Sequence, residues 1–355
     1  MNRMNGDHPA AGSRTAWLVV FPPALGDSIL SFPVVDRIRA AGAGIEVVVA
    51  ALPYLQAFLK GVEGLADVFT YDELAGDCGG RHFEWVIDLS GFEYHKKLGE
   101  KRNFDNAIYR TFAQWDRIVV RSPEGERDVP DPIFALSSND PEFLSRLAVW
   151  HDESATLLAH VLGEDPMRWL SERPMPTLRW SGTALRSGDA VDPLRDIVFL
   201  PCGTWERQKW PEESWIALAK RLIGDGHRVK VVLGPLEHAG YARLRTSVSC
   251  TIMSSALEDL AYEIGQGSVI VGHDCGPMHL SAAMGKTCLA ILGPTNPYKW
   301  YWYSNHRQVF IQTDDAFAAA QAVGWKVDRS ARWAQWPNDL DAHAKLLELL
   351  ADENT

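Results

Sequence analysis

The 355-residue chain lacks several features that narrow function at once. Its five cysteines (Cys78, Cys202, Cys250, Cys275 and Cys288) form no C-x-x-C pair and are widely spaced and odd in number. That argues against a disulfide framework or a zinc ribbon and for a reducing, cytoplasmic location. No apolar run approaches the roughly 18–20 residues of a membrane span. The polar stretch Met1–Arg14 has no apolar core of a signal peptide, and residues 1–15 are expected to be a disordered tail. Positive charge is scarce: 35 Lys and Arg against 46 Asp and Glu leave a net charge of −11, with a pI near 5.5. A chain of that balance is a poor partner for nucleic acid and is expected to make at most peripheral contact with a membrane.

Familiar short motifs are missing too. Gly42 and Gly44 follow a helical pattern and precede a strand, the reverse of a dinucleotide fingerprint, and the third glycine is absent. Gly285-Lys286-Thr287 imitates the end of a Walker A loop, but Leu280 stands where the first glycine belongs. There is no G-x-S-x-G and no H-E-x-x-H. Asp339-Leu-Asp341 looks like a carboxylate pair, yet it opens the last helical pattern, where capping is the better reading. No metal site and no cofactor are expected.

What is present is an ordinary globular composition, 46% apolar and 23% charged, long enough for two domains at roughly 100–200 residues each. The 14 tryptophans are expected to serve mostly in the core, with some available to stack on sugars or bases. Apolar runs at Ala16–Phe21, Ile45–Ala50, Ala66–Thr70 and Trp85–Leu89 read as strands alternating with helices, beginning with a helix that opens at Asp27. After a Pro- and Gly-rich stretch between Glu172 and Pro193 the pattern restarts: strands at Ile197–Pro201, Val229–Leu233, Ser268–Gly272 and Thr287–Leu292, and helices at Glu212–Ile223, Met278–Met284 and Asp341–Leu350. Strand–helix alternation implies parallel sheets. The resulting division is an N-terminal Rossmann-like domain (16–172), a linker (173–195), a C-terminal Rossmann-like domain (196–335) and a terminal helix (336–355). Ligands bind beyond the carboxyl ends of strands in such sheets.

Four strand-end segments carry the chemistry. In Ala24-Leu-Gly26-Asp27-Ser28, Gly26 permits a close approach and Asp27 reads equally as a helix cap or as a general base. Pro201-Cys-Gly-Thr204-Trp-Glu-Arg207-Gln-Lys209-Trp-Pro211 offers a hydroxyl and two cations to a diphosphate, or is a solvated loop. Glu237, just after Gly234-Pro235, can accept hydrogen bonds from ribose hydroxyls or simply open a helix. Gly272-His-Asp274-Cys-Gly276-Pro277-Met-His279 is the strongest. An aspartate stands at a strand tip, a glycine lets backbone approach a ligand, and a proline suits a first helical turn. Gly293-Pro294-Thr295 adds a further strand-end loop.

Asp-Cys-Gly-Pro-Met-His-Leu-Ser-Ala-Ala followed by Leu-Gly-Pro-Thr, with Leu-Gly-Asp near the N-terminus and Gly-Thr…Lys-Trp-Pro between, resembles the signature of glycosyltransferase family 9, the bacterial heptosyltransferases. The resemblance runs from about Trp17 to Trp300, in layout only across Phe92–Trp180. It implies an α/β fold of GT-B type, two Rossmann-like domains whose parallel sheets face a central cleft, and no catalytic metal. It implies an ADP-heptose donor held by the C-terminal domain and an acceptor, usually the Kdo–lipid A inner core of lipopolysaccharide, held by the N-terminal one. Asp27 then is the base, Lys209 contacts the donor phosphates, Asp274 and His279 belong to the donor pocket, and Glu237 takes the ribose. Cys275 stands where the family usually has a small hydroxyl residue, and Pro201-Cys202 departs from the usual start of the phosphate loop. The expected reaction is inverting transfer by single displacement, with Asp27 as base and with Thr204, Lys209, Arg207 and the helix amides near Gly276 meeting the leaving diphosphate. Other readings are a nucleotide-sugar epimerase, a non-catalytic binding module, or transfer to a protein or soluble glycan.

One local exception to the acidic charge is His95-Lys96-Lys97-Leu-Gly-Glu-Lys101-Arg102. It reads either as a site for an anionic glycan or glycolipid acceptor or as a solvated loop paired with Glu93 and Glu100.

Overall fold

The computed structural model describes residues 15–42, 44–74, 81–90, 115–120, 158–159, 161–165, 175–181, 196–203, 206–248, 250–293, 295, 307–316 and 335–352. The N-terminal elements are β1 (Thr15–Val20), α1 (Leu25–Leu30), α2 (Phe32–Ala41), β2 (Ile45–Ala51), α3 (Pro53–Lys60), β3 (Asp67–Thr70), α4 (Tyr71–Leu74), β4 (Phe83–Asp88) and β5 (Trp115–Val120). The C-terminal elements begin with β6 (Asp196–Leu200), α5 (Glu212–Gly224), β7 (Arg228–Leu233), α6 (Pro235–Gly240), α7 (Ala242–Ser247) and β8 (Cys250–Met253). They continue with α8 (Leu257–Gln266), β9 (Val269–Gly272), α9 (Gly276–Ala283), β10 (Thr287–Ile291), β11 (Gln308–Ile311) and α10 (Asp339–Asp352).

Both sheets are parallel throughout, with strand orders β3-β2-β1-β4-β5 and β11-β10-β9-β6-β7-β8. Renumbered from β6, the second order is the doubly wound 3-2-1-4-5-6 of the Rossmann fold, and the first is the same pattern one strand shorter. The central strands have both faces covered, which is why they read as unbroken apolar runs. Leu18 and Val19, on opposite faces of β1, are both fully buried. The switch points, where strand order reverses, lie between β1 and β4 and between β6 and β9.

Three apolar clusters hold the fold together. One covers the outer face of the second sheet and includes Trp210, Trp215 and four side chains of α10 (Ala342, Leu346, Leu349 and Leu350). A small one lies on one face of the first sheet. The largest runs through both sheets, from Trp17, Ile29 and Phe58 to Leu200, Ile264, Met278 and Leu280, so the two halves share apolar surface. Among the described residues tryptophan serves mainly as core. Trp17, Trp210 and Trp215 are buried, and Trp85, Trp180 and Trp336 pack against the clusters.

Some local expectations need correction. The helix expected to open at Asp27 is two helices. Pro33, which has no N–H to donate, falls in the first turn of α2, and the chain breaks at Ser31. The helix after β9 starts at Gly276 rather than Met278, with Pro277 in its first turn as expected. Gly224 is still helical, and the positive-φ residue after α5 is Gly226, at φ +90°. Asp339 and Asp341 do not cap α10. Asn338 Oδ1 accepts the Asp341 N–H, and Asp339 pairs with Arg221. Residues 175–181, inside the stretch read as linker, are tied down. Val62 and Trp180 form an antiparallel bridge, Trp180 Nε1 donates to the Phe58 carbonyl, and the Leu178 N–H donates to the Ala283 carbonyl at the end of α9.

Candidate functional site

Three of the strand-end segments singled out from the sequence, those of Asp27, Lys209 and Asp274, come together in the described structure. The β1 end turns through Pro22 and Pro23 into α1, whose N-cap is Ala24, so Asp27 lies in the first turn and is not the cap. Ser28 Oγ donates to the Pro22 carbonyl at 2.7 Å, and Ser31 Oγ to the Asp27 carbonyl at 2.9 Å. These bonds fix the short helix that carries Asp27.

Helix α1 meets α9 glycine to glycine. A Cβ on Gly26 would lie 2.9 Å from His279 Cδ2 and 3.5 Å from Gly276 Cα. A Cβ on Gly276 would lie 2.9 Å from Leu25 Cβ and 3.1 Å from the Gly26 nitrogen. Any side chain at either position pushes the helices apart, so glycine is required for packing rather than for backbone conformation. Asp27, one residue on, is thereby held at the N-terminal end of α9.

On the other side of the contact, Asp274 and His279 are both buried, with His279 Nε2 3.4 Å from Asp274 Oδ1. Gln208 Nε2 donates to Asp274 Oδ2 at 3.3 Å from a 3-10 turn, Glu206–Gln208. Lys209 Nζ pairs with Glu206 Oε1 at 2.7 Å; a phosphate there has to displace that carboxylate. Cys275 is the N-cap of α9 and makes no side-chain cap bond. Glu237 sits in the first turn of α6, with Oε2 only 2.7 Å from where a Gly234 Cβ would stand. Gly293 and Thr295 lie at the end of β10 and are gripped by Gln312, whose Nε2 donates to both carbonyls. Thr204, Pro294, Lys96, Lys97, Lys101 and Arg102 lie outside the described residues, as does the side chain of Arg207.

Residues not singled out from the sequence complete the arrangement. His273 is fully buried. Its Nε2 accepts the Trp210 N–H at 2.7 Å, and its Nδ1 lies 3.0 Å from the Cys202 carbonyl, so Nδ1 carries the proton. Burial pushes this imidazole down to about 4, with Lys209 adding to the fall against the opposing Cys202 bond and Asp274 charge. Neutral His273 thus pins both ends of the 202–210 loop to the tip of β9. Tyr54 donates to the Pro23 carbonyl at 2.8 Å. Its side chain is half exposed; desolvation of the covered part, and after it the charge of Asp27, raises the phenol above its ordinary value. The available signal was position: His273 follows β9, which flanks a switch point, and Tyr54 follows β2, the neighbour of β1.

Among the described residues no group of three or more His, Cys, Asp or Glu side chains suits a metal ion. No helix among them is long and apolar enough to cross a membrane.

Known proteins resemble this chain in part of its sequence and in its fold. The sequence model described as "Glycosyltransferase family 9 (heptosyltransferase)" matches residues 175–322. The chain is 32% identical over 104 residues to lipopolysaccharide heptosyltransferase 1 of Pseudomonas aeruginosa, covering 28% of this chain and 29% of that protein. It is 32% identical over 103 residues to the Escherichia coli K12 protein of the same name, covering 28% and 32%. The matches thus span less than a third of the length of these relatives. In three dimensions the likeness is longer. A family 9 glycosyl transferase from Veillonella parvula superposes with a TM-score of 0.66 at 15% identity, over 95% of this chain and 97% of the other. E. coli heptosyltransferase WaaC, solved with ADP, gives 0.60 at 16% identity, over 96% and 100%. At such identities the likeness speaks to fold, and the fold is the two-domain GT-B type expected from the sequence.

Proposed function

We propose that this chain, whose residues 175–322 match glycosyltransferase family 9, is an inverting, metal-independent member of that family acting in the cytoplasm. Its reading is transfer of a heptose from ADP-heptose to a hydroxyl of the lipopolysaccharide inner core. The observation that carries it is the α1–α9 contact, which holds the Asp27 segment of one sheet against the Asp274/His279 segment of the other. A donor lying on α9 and an acceptor lying on the N-terminal sheet would meet at Asp27. Relatives named as lipopolysaccharide heptosyltransferases support the donor and acceptor classes.

In this reading Asp27 takes the proton of the acceptor hydroxyl while its oxygen attacks the anomeric carbon. The bond from that carbon to the diphosphate oxygen breaks, the configuration inverts, and the nucleoside diphosphate leaves. Lys209 gives up Glu206 to meet the charge building on the leaving group, with Thr204, Arg207 and the first amides of α9 near Gly276 and Pro277 beside it. His273 keeps this loop in place and takes no proton. Asp274 and His279 bind the transferred sugar, Glu237 the ribose, and the Gly293-Pro294-Thr295 loop closes the donor site. The basic stretch Lys96, Lys97, Lys101 and Arg102 attracts an anionic acceptor.

The test is direct. Purified protein is incubated with ADP-heptose and a Kdo-bearing lipid A acceptor, and ADP release and product mass are followed with and without chelator. Acceptor-dependent ADP release that survives chelation is expected. Release without acceptor would point to donor hydrolysis or epimerase-like chemistry. Donor binding with no turnover on any acceptor would leave a binding module.

A further inference from the structure

Tyr241 closes helix α6 as its C-cap, four residues after Glu237, and its N–H donates to the Glu237 carbonyl. The ring is 5% exposed and packs in the cluster that contains Phe199, Trp210, Trp215 and Leu233. Its Oη is buried and has no hydrogen-bond partner among the described residues. A buried hydroxyl without a partner is costly and rare, and it calls for an explanation.

The surroundings supply one. The charged and thiol groups acting on the Tyr241 hydroxyl are Cys202, Glu237, Glu206 and Cys275. They belong to the loops after β6, β7 and β9, the three strand tips around the switch point of the second sheet. Two of these groups are already committed. Burial holds both thiols neutral, and backbone bonds engage Cys202 through Gly234 and Cys275 through Met278. What remains is a phenol with an unused donor close to a carboxylate, which only accepts. A carboxylate and a hydroxyl one helical turn apart on α6 suit two neighbouring hydroxyls of a sugar: each sugar O–H donates to one of them, and the phenol O–H donates back.

We propose that Tyr241 is a nucleoside-recognition residue, its Oη donating to a ribose hydroxyl of the bound nucleoside diphosphate while Glu237 accepts from the same ribose. This rests on the nucleotide-sugar reading above and adds a residue to it. The contact makes the site discriminate against a sugar that lacks the partner hydroxyl.

The experiment uses the full chain, wild type and Tyr241→Phe, with calorimetric titration of ADP, 2′-deoxy-ADP and 3′-deoxy-ADP, and thermal melting of both proteins. Phenylalanine keeps the ring and removes only the unpaired hydroxyl, so the variant is expected to melt at or slightly above the wild-type temperature. It is expected to bind ADP about tenfold more weakly, the size of one lost hydrogen bond. One of the two deoxy analogues should bind wild type and variant alike, because it has already lost the partner. Equal ADP affinity in the two proteins overturns the inference, as does an equal loss for all three nucleotides. A large fall in melting temperature overturns it too, since the hydroxyl would then be paired within the fold. If wild type does not bind ADP, the ADP-sugar reading falls as well, a result distinct from the others.

Discussion

Acid should loosen the donor-side loop through one residue, His273. Its imidazole is wholly buried between Trp210 N–H and the Cys202 carbonyl and stays neutral down to about 4, against an ordinary value of 6.5. The sign follows from proton counting. Below 6.5 the unfolded chain binds a proton that the folded one refuses, so the stability this group contributes is complete above 6.5 and declines as pH falls toward 4. Between about pH 7.5 and about pH 5 the loss comes to about 2 kcal/mol. Replacing His273 with Gln removes the titration while keeping an acceptor and a donor. The variant is expected to be less stable than wild type near pH 7.5, by about 1–3 kcal/mol for a disturbed buried polar pair. That gap should then narrow by about 2 kcal/mol on going to about pH 5. Urea unfolding at a series of pH values measures it. Trp215 and Trp336, with ring centroids 5.2 Å and 5.7 Å from His273, give a local fluorescence signal. Parallel pH curves for the two proteins would refute the account, because His273 would then titrate alike in the folded and unfolded chain.

Further outcomes test the rest of the site. Asp27→Asn should cut turnover by at least about 100-fold, the lower bound for general-base help, with ADP affinity by calorimetry nearly unchanged; near-normal turnover removes Asp27 from the mechanism. Lys209→Ala should weaken ADP binding about tenfold, the low end for a charge-assisted bond because Glu206 must first be released, and an unchanged affinity shows that Lys209 stays on Glu206. Gly276→Ala forces a Cβ to 2.9 Å from Leu25 Cβ, so turnover should fall more than ADP affinity does; equal losses in both would place the glycine in nucleotide binding instead. Neutralising Lys96, Lys97, Lys101 and Arg102 together should raise the acceptor KM at low salt, with a smaller effect at high ionic strength and an unmoved donor KM.

Central strands and their following loops were legible because burial on both faces writes a continuous apolar run, as in Trp17–Phe21 and Ile197–Leu200, and because Gly and Pro mark the ends. The edge strands β8 and β11 were not. Each is four residues long and only partly buried, so neither a run nor an alternation has room to show. The break at Ser31 hid because α1 and α2 keep apolar residues at helical spacing across it; only Pro33 betrays it. At the site, residues with obvious chemistry stood out. Gln208 and His273 did not, since a glutamine in a polar loop and a histidine beside an aspartate carry no signal until the fold sets them against Asp274 and Trp210. Tyr54 reaches the Asp27 segment from another strand end, a long-range relation that local pattern does not encode.

Helix α9 is gripped at both ends by parts of the chain that belong with the first sheet. Its N-terminus abuts α1 through Gly26 and Gly276, and its last turn accepts the Leu178 N–H from a segment that is itself laced to Gly61 and Phe58. At 1.5 Å per residue these anchors are roughly 10 Å apart along the helix. A simple parting of the two halves breaks at least one of these anchors, so Asp27, next to the first of them, stays with the N-terminal end of α9.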